Sequence, residues 1–505
     1  MKLNFFLLTL LLTSSILVCD AGTKSLSMGG TGTACTDDAL SQWLNPSVYG
    51  FMNRELSNTN NIYLDNNSLS DNIFGWSIVD FNFGITLHGN IDRYLDNLAD
   101  IDFDGIISLD DKTAVRDLSN LAASFDNIAS EGNGLMFSSE VISSFRKGSF
   151  GLGLGANSQL AVWVDELDQN NLGLNFPDLD GSEGLNSTIQ DIIESDTSYI
   201  SDDILDNFTG EMIEQLQSAG LEQDAAKYID YQITTLINSG DITSDDVDDA
   251  VDFLVALINT TDSGENSLTN NLTSLTSRGF ISVEVPISWG HAINDKFSLG
   301  ATLSPMRGKV FGTKIWVFDD TNYEDSIFED NYLEVDSSTF GVNIGALYRI
   351  PNFHFALVGK NLNKPTFDGI SGQVLVNGES QAISVPEVEI SPQLTFATAY
   401  MPSKRFLIEA SIDFMDQKTI FKNYQLRQVS LGSEIDLRFL ILRLGLNRNL
   451  SSINSDYIAS TGLGFNLFGC RFDAGLAYSL GENIDFNNNE IPSEIRLGLA
   501  ASLDF

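Results

Sequence analysis

The chain has 505 residues, 27 Lys and Arg against 69 Asp and Glu, and a formal net charge of -42, which excludes a nucleic-acid-binding surface because phosphates need a basic face. It is 43% hydrophobic and 10% aromatic, too apolar for a disordered chain, yet only 19% charged, a low fraction for a soluble surface of this size. Three His and three Cys leave little material for His-based catalysis or a thiolate metal centre, so the composition argues against an enzyme.

At the N-terminus, Lys2 precedes an apolar run from Phe5 to Leu12. Cys19 and Ala21 then stand at the -3 and -1 positions of a small-residue cleavage site before Gly22. This order predicts a secretory signal peptide over residues 1–21 and export of the remainder. Acylation at Cys19 fits less well, because Val18 is bulky where a lipoprotein signal carries a small residue. Beyond this segment no apolar stretch reaches the ~18 residues of a membrane-spanning helix. Residues 22–71 form a glycine-rich segment. Gly29, Gly30 and Gly32 permit positive φ and close backbone packing, as a plug inside a lumen requires, with a flexible linker as the alternative, and Asn45-Pro46 reads as a turn.

From residue 72 to residue 505 the dominant signal is period-2 alternation, which gives each segment one apolar and one polar face. Strands are predicted at Asn72–Gly89, Gly134–Arg146, Ser149–Val164, Arg278–His291, Lys296–Phe311, Val335–Ile350 and Phe353–Asn363. Seven more follow at Glu387–Met401, Lys404–Asp416, Tyr424–Asp436, Arg438–Asn449, Asp456–Leu467, Gly469–Gly481 and Ile491–Phe505. A soluble sandwich and a transmembrane barrel both use such alternation, but these segments are longer than the usual 5–6 residues of soluble strands. The connections also alternate between short turns and long loops, the asymmetry of outer-membrane barrels with tight periplasmic turns and large external loops. The predicted fold is therefore all-β transmembrane: an antiparallel outer-membrane β-barrel of about 14 strands, with the lipid bilayer as its solvent. Glu409, Asp413, Glu434, Arg443, Arg471, Asp473, Glu494 and Arg496 are assigned to the lumen, where charges pair or stay wet.

Two insertions carry a helical period, residues 90–133 and 165–277. The second holds 25 Asp and Glu but a single basic residue, Lys227. Apolar residues recur there at three-to-four spacing, for example Tyr228, Ile229, Ile233, Leu236 and Ile237, then Val247, Val251, Leu254, Val255 and Ile258. By strand count both insertions are extracellular; the acidic one reads as a solvated cap, or else as a docking surface for a basic partner protein or a sink for divalent cations. Within the first, Asp100 to Asp111 matches a calcium loop. Asp100, Asp102 and Asp104 supply side-chain oxygens, Gly105 allows the turn, Ile106 offers its carbonyl and Asp111 closes the set where an EF-hand carries Glu. Calcium is thus the one cofactor the sequence suggests, with an acidic turn between helices as the alternative.

After the signal, Ser25-Leu26-Ser27-Met28-Gly29-Gly30-Thr31-Gly32, then Asp37-Asp38-Ala39 and Asn45-Pro46, resembles the start of FadL-type outer-membrane proteins. Val358-Gly359-Lys360-Asn361-Leu362, Leu431-Gly432-Ser433-Glu434, Arg443 to Leu450, and Gly462-Leu463-Gly464 resemble a branch of that superfamily named after the conjugal-transfer protein TraF, with PorV-like relatives. The resemblance spans most of the barrel and the N-terminal motif, but not the acidic insertion. It implies a 14-stranded barrel with a glycine-rich segment in the lumen, and a channel or transporter for small hydrophobic molecules. The alternative is a non-transporting scaffold whose loops hold a conjugal-transfer or secretion-associated surface partner. His88, His291 and His354 fall in separate strands or turns without a Ser/Asp constellation, so no catalytic site is predicted.

Overall fold

The computed structural model describes residues 22–52, 74–88, 112–128, 133–168, 181–199, 207–263, 272–316, 333–376, 379–403, 405–422, 424–451, 455–467, 469–481, 483–486 and 489–504. Fourteen long strands make the wall. They are β1 (Phe74–His88), β2 (Gly134–Lys147), β3 (Phe150–Glu166), β4 (Ser274–Glu284, resuming as Ile287–Ala292), β5 (Phe297–Trp316), β6 (Leu333–Ile350) and β7 (Phe353–Lys360). The chain continues with β8 (Gln393–Ser403), β9 (Phe406–Asp413), β10 (Gln428–Asp436), β11 (Leu440–Asn449), β12 (Tyr457–Leu467), β13 (Cys470–Ser479) and β14 (Glu494–Asp504). Each pairs antiparallel with its sequence neighbours, and β14 returns to β1 with Leu499 opposite Phe81, so the sheet closes. Closure leaves no unpaired edge, the condition for a sheet to cross hydrocarbon.

The alternation sorts cleanly across the wall. On β14, Leu497 and Leu499 are 49% and 62% exposed while Glu494 and Arg496 are buried. On β11, Leu444 is 64% exposed beside a buried Arg443. Phe81, Phe145, Leu154, Trp289, Phe340, Leu431 and Phe472, on seven other strands, also face outward. A continuous apolar belt around a monomer far exceeds the few hundred Å² that soluble proteins expose, so lipid is its solvent. The molecule is an outer-membrane β-barrel.

One end carries tight turns. Gly148 and Gly469 take positive φ there, as do two residues that are not glycine, Asn352 at 62° and Arg438 at 81°. Two prolines move the strand boundaries from those the alternation predicts. Pro286 has no N–H to donate, so the ladder of β4 pauses there, although its carbonyl still accepts from Gly153 N–H at 2.9 Å. Pro392 likewise delays β8 until Gln393. The predicted beginning of that strand, Val388–Glu389, pairs with Thr366–Phe367 within the long β7–β8 loop instead.

At the long-loop end the two helical insertions form one unit. Helix α3 (Lys112–Ile128) comes from the β1–β2 loop, and α4 (Gly181–Ser195), α5 (Gly210–Ala219), α6 (Gln223–Ser239) and α7 (Val247–Ser263) from the β3–β4 loop. Val115, Leu118 and Leu121 of α3 share a core with Ile189, Leu216, Ile233, Phe253 and Leu254. Helix α5 begins with Thr209 as N-cap and ends on Gly220 in the left-handed conformation. Arg116 reaches Asp241 at 3.1 Å and Lys112 reaches Asp196 at 3.4 Å, tying the first insertion to the second.

Candidate binding chamber in the lumen

Residues 22–52 lie inside the barrel. Helix α1 (Thr23–Ser27), helix α2 (Ser41–Leu44) and the 3-10 turn Pro46–Phe51 are buried almost throughout. Rows of glycine on the inner wall make the room. Gly290, Gly300 and Gly345 face each other across β4, β5 and β6. Gly432 faces Gly445 across β10 and β11, and Gly462, Gly475 and Gly498 align across β12, β13 and β14. A Cβ at Gly300 would collide with Pro46, one at Gly445 with Met28 and Gly29, and one at Gly462 with Ser27. The wall is therefore bare of side chains where the N-terminal backbone runs against it.

Of the N-terminal residues singled out by sequence, Gly29 takes a φ of 69°, Gly30 86° and Gly32 136°. Gly29 abuts Leu446 on β11, and its carbonyl accepts from Asn447 Nδ2 at 3.2 Å. The Asn45 side chain accepts from Ser47 N–H at 3.1 Å, donates to the Thr33 carbonyl at 3.0 Å and lies over Gly345. Pro46 starts the 3-10 turn. The calcium-loop residues Asp100, Asp102, Asp104, Ile106 and Asp111 lie outside the described residues.

Buried carboxylates of the wall hold the segment. Glu409, 0% exposed, accepts Gly32 N–H at 2.8 Å and Ala34 N–H at 3.2 Å. Glu434, Arg443, Asp473 and Arg471 form one lumen network. Arg443 donates to Glu434 at 2.7 Å and to Asp473 at 2.8 Å, and Arg471 donates to Asp473 at 2.8 Å. Lys24 of α1 joins it through Glu434 at 4.0 Å. Arg443 sits opposite Glu434 in the ladder but reaches Asp473 across an intervening strand, because Gly464 leaves the path open. Asp413 accepts from Thr395 at 2.6 Å, and Arg496 pairs with Glu494.

Above the segment, toward the long loops, lies a chamber of about 200 Å³. Its floor is Gly30, Thr33, Trp43 and Leu44, and its walls include Phe280, Met306, Glu140, Glu284, Lys360 and Asp413. Long loops lie beside it. Phe367, Val385, Val388, Ile420 and Phe421 pack onto Phe280, Met306 and Val310 in a second apolar cluster. The N-terminal segment lies beneath the chamber, and this loop cluster packs beside it. The three histidines are apart: His88 packs on Phe421 and Tyr424, His354 contacts the Ala34 carbonyl, and His291 stacks on Trp289 of the outer wall.

A family model described as the F plasmid transfer operon protein TraF matches residues 94–413, more than half of the chain. Among solved structures the chain is similar to a TodX deltaS2S3 mutant monoaromatic hydrocarbon channel, with a TM-score of 0.47 at 10% identity over 96% of this chain and 99% of that one. It is also similar to the Ralstonia pickettii toluene transporter TbuX, at 0.46 and 11% over 98% and 100%. The P. putida toluene transporter TodX scores 0.44 at 11% over 96% and 98%. Among curated proteins nothing matches the chain significantly.

Proposed function

This chain belongs to the family of the F plasmid transfer operon protein TraF, and for this member of it we propose a gated outer-membrane channel for small hydrophobic molecules that carry a polar end. The lumen chamber carries this reading. A cavity of roughly 150 Å³ accommodates benzene, so about 200 Å³ gives room for a small ring. Phe280, Met306, Leu44 and Trp43 suit the apolar body, and Lys360 with the carboxylates Glu140, Glu284 and Asp413 suits a polar substituent. In this reading residues 22–52 are the inner gate and the loop cluster around Phe367 and Phe421 is the outer one. Planar-bilayer recording of the purified barrel tests it, with a near-silent native protein and stepwise conductance after deletion of residues 22–52. Uptake of a small aromatic alcohol into proteoliposomes tests the cargo class, and uptake no faster than in empty liposomes overturns it.

A second reading is favoured by one observation. The helical unit has a core of its own and joins two loops, which suits a platform for a surface partner. A barrel that conducts nothing in either form, yet loses a stoichiometric bound protein when the unit is excised, is the scaffold.

A further inference from the structure

Gly22 and Thr23, at the start of the buried segment, lie against a carboxylate of the barrel wall. Asp80 of β1 is 0% exposed. It accepts the Thr23 N–H at 2.8 and 3.0 Å and the Thr23 hydroxyl at 2.6 Å. Gly22 is itself buried, with φ of 104°, and a Cβ there would stand 2.7 Å from Asp80 Oδ2. The lumen ion pairs run through Lys24, Glu434, Arg443, Asp473 and Arg471 and do not include Asp80. A buried carboxylate calls for a cation, and among the described residues no ion pair involves Asp80. The nitrogen of Gly22 is the next group along the chain, and it stands at the scissile position of the leader read from Cys19 and Ala21.

We propose that Asp80 is the docking site for the α-ammonium group created by cleavage between Ala21 and Gly22, so that export processing arms the N-terminal segment to seal the lumen. In the precursor that nitrogen is a neutral amide with one proton. A signal peptidase hydrolyses the Ala21–Gly22 bond: the C–N bond breaks, water adds its oxygen to the Ala21 carbonyl carbon, and its protons leave an Ala21 carboxylate and a Gly22 ammonium. The new cation has three donors and, with an ordinary α-amino pKa of about 8, is charged at neutral pH. Thr23 already occupies part of the Asp80 carboxylate, so the α-ammonium completes the shell instead of building it. A glycine at this position leaves the backbone free to bring its nitrogen to the wall without a side chain in the way.

The test uses the mature protein from native outer membranes. Mass spectrometry of the N-terminal peptide is expected to find Gly22 with a free amine. A chain beginning anywhere else, including an acylated Cys19, overturns the proposal. Acetylation with an N-hydroxysuccinimide ester at pH 7 then reads the pairing. The Gly22 amine of the folded wild type is expected to react at least tenfold more slowly than after heat denaturation. Folded Asp80→Asn is expected to lose most of that protection, while folded Asp336→Asn, a half-exposed carboxylate of β6 paired with Arg307, keeps it. Equal native and denatured rates in the wild type overturn the pairing even if Asp80→Asn fails to fold, and so does full protection in folded Asp80→Asn.

Discussion

Replacing Glu409 by alanine removes the carboxylate that receives Gly32 N–H at 2.8 Å and Ala34 N–H at 3.2 Å. Both donors are backbone groups in a buried segment. Orphaning a buried donor costs about 1–3 kcal/mol. Part of that loss is relieved by local shifts. The docked state of residues 22–52 is therefore weakened by about 2–4 kcal/mol, which raises the undocked population on the order of 100-fold. The wall itself keeps its ladder, because Glu409 contributes to β9 through its backbone, opposite Ala399 and Gly432. Limited proteolysis of detergent-purified barrel, followed by mass spectrometry, measures cleavage within 22–52 separately from heat-modifiable migration of the intact barrel. Faster cleavage with unchanged migration is expected, and Asp413→Ala, whose partners are Thr395 and Gln393, should stay near wild type. Cleavage of Glu409→Ala at the wild-type rate would refute the latch.

Gly445→Val places a side chain where Met28 and Gly29 now lie, so the barrel should insert with its N-terminal segment displaced, seen as open-channel conductance in planar bilayers. Leu444→Arg puts a charge on the lipid face at a cost of about 2–4 kcal/mol near the midplane, and should lower the urea midpoint for folding into liposomes, whereas Leu444→Phe should not. Asp196 joins α3, α4 and α6: it accepts from Ser198 N–H at 3.0 Å, Tyr228 at 2.9 Å and Lys112 at 3.4 Å. Burial alone would raise its pKa, but the Ser198 and Tyr228 hydrogen bonds and the Lys112 charge outweigh it and hold it at about 2, below the ordinary 3.8. Its stabilising contribution is therefore complete above about pH 4 and fades as pH falls toward 2. Asp196→Asn should cost about 1.5–3 kcal/mol at neutral pH and flatten that acid dependence in helical circular dichroism melts.

The barrel was legible because hydrocarbon imposes a strict local rule. Every second residue of a wall strand faces lipid, so runs such as Ile495, Leu497 and Leu499 announce strand and facing together, and the turn-and-loop asymmetry announces the membrane. Prolines at 286 and 392 shifted boundaries because a missing N–H interrupts pairing without changing the apolar alternation. The glycine-rich start was visible, whereas the matching glycines of the wall were not. Gly290, Gly300 and Gly345 lie in three different strands, and only register makes them one smooth surface.

Composition and alternation by themselves determined the architecture, the strand count and the inward facing of charges such as Glu409, Arg443 and Arg496, since each depends on spacing within one segment, whereas Asp80, Glu140, Glu284 and Lys360 were not assigned to the lumen. The pairing of Arg443 with both Glu434 and Asp473, the clasp of Glu409 on Gly32 and Ala34, and the merger of α3 with α4 to α7 were decided only in three dimensions. Each joins residues far apart in the chain. A carboxylate's partner there is set by which strand lies beside it and by which neighbour lacks a side chain, and neither property is carried by the carboxylate's own stretch of sequence.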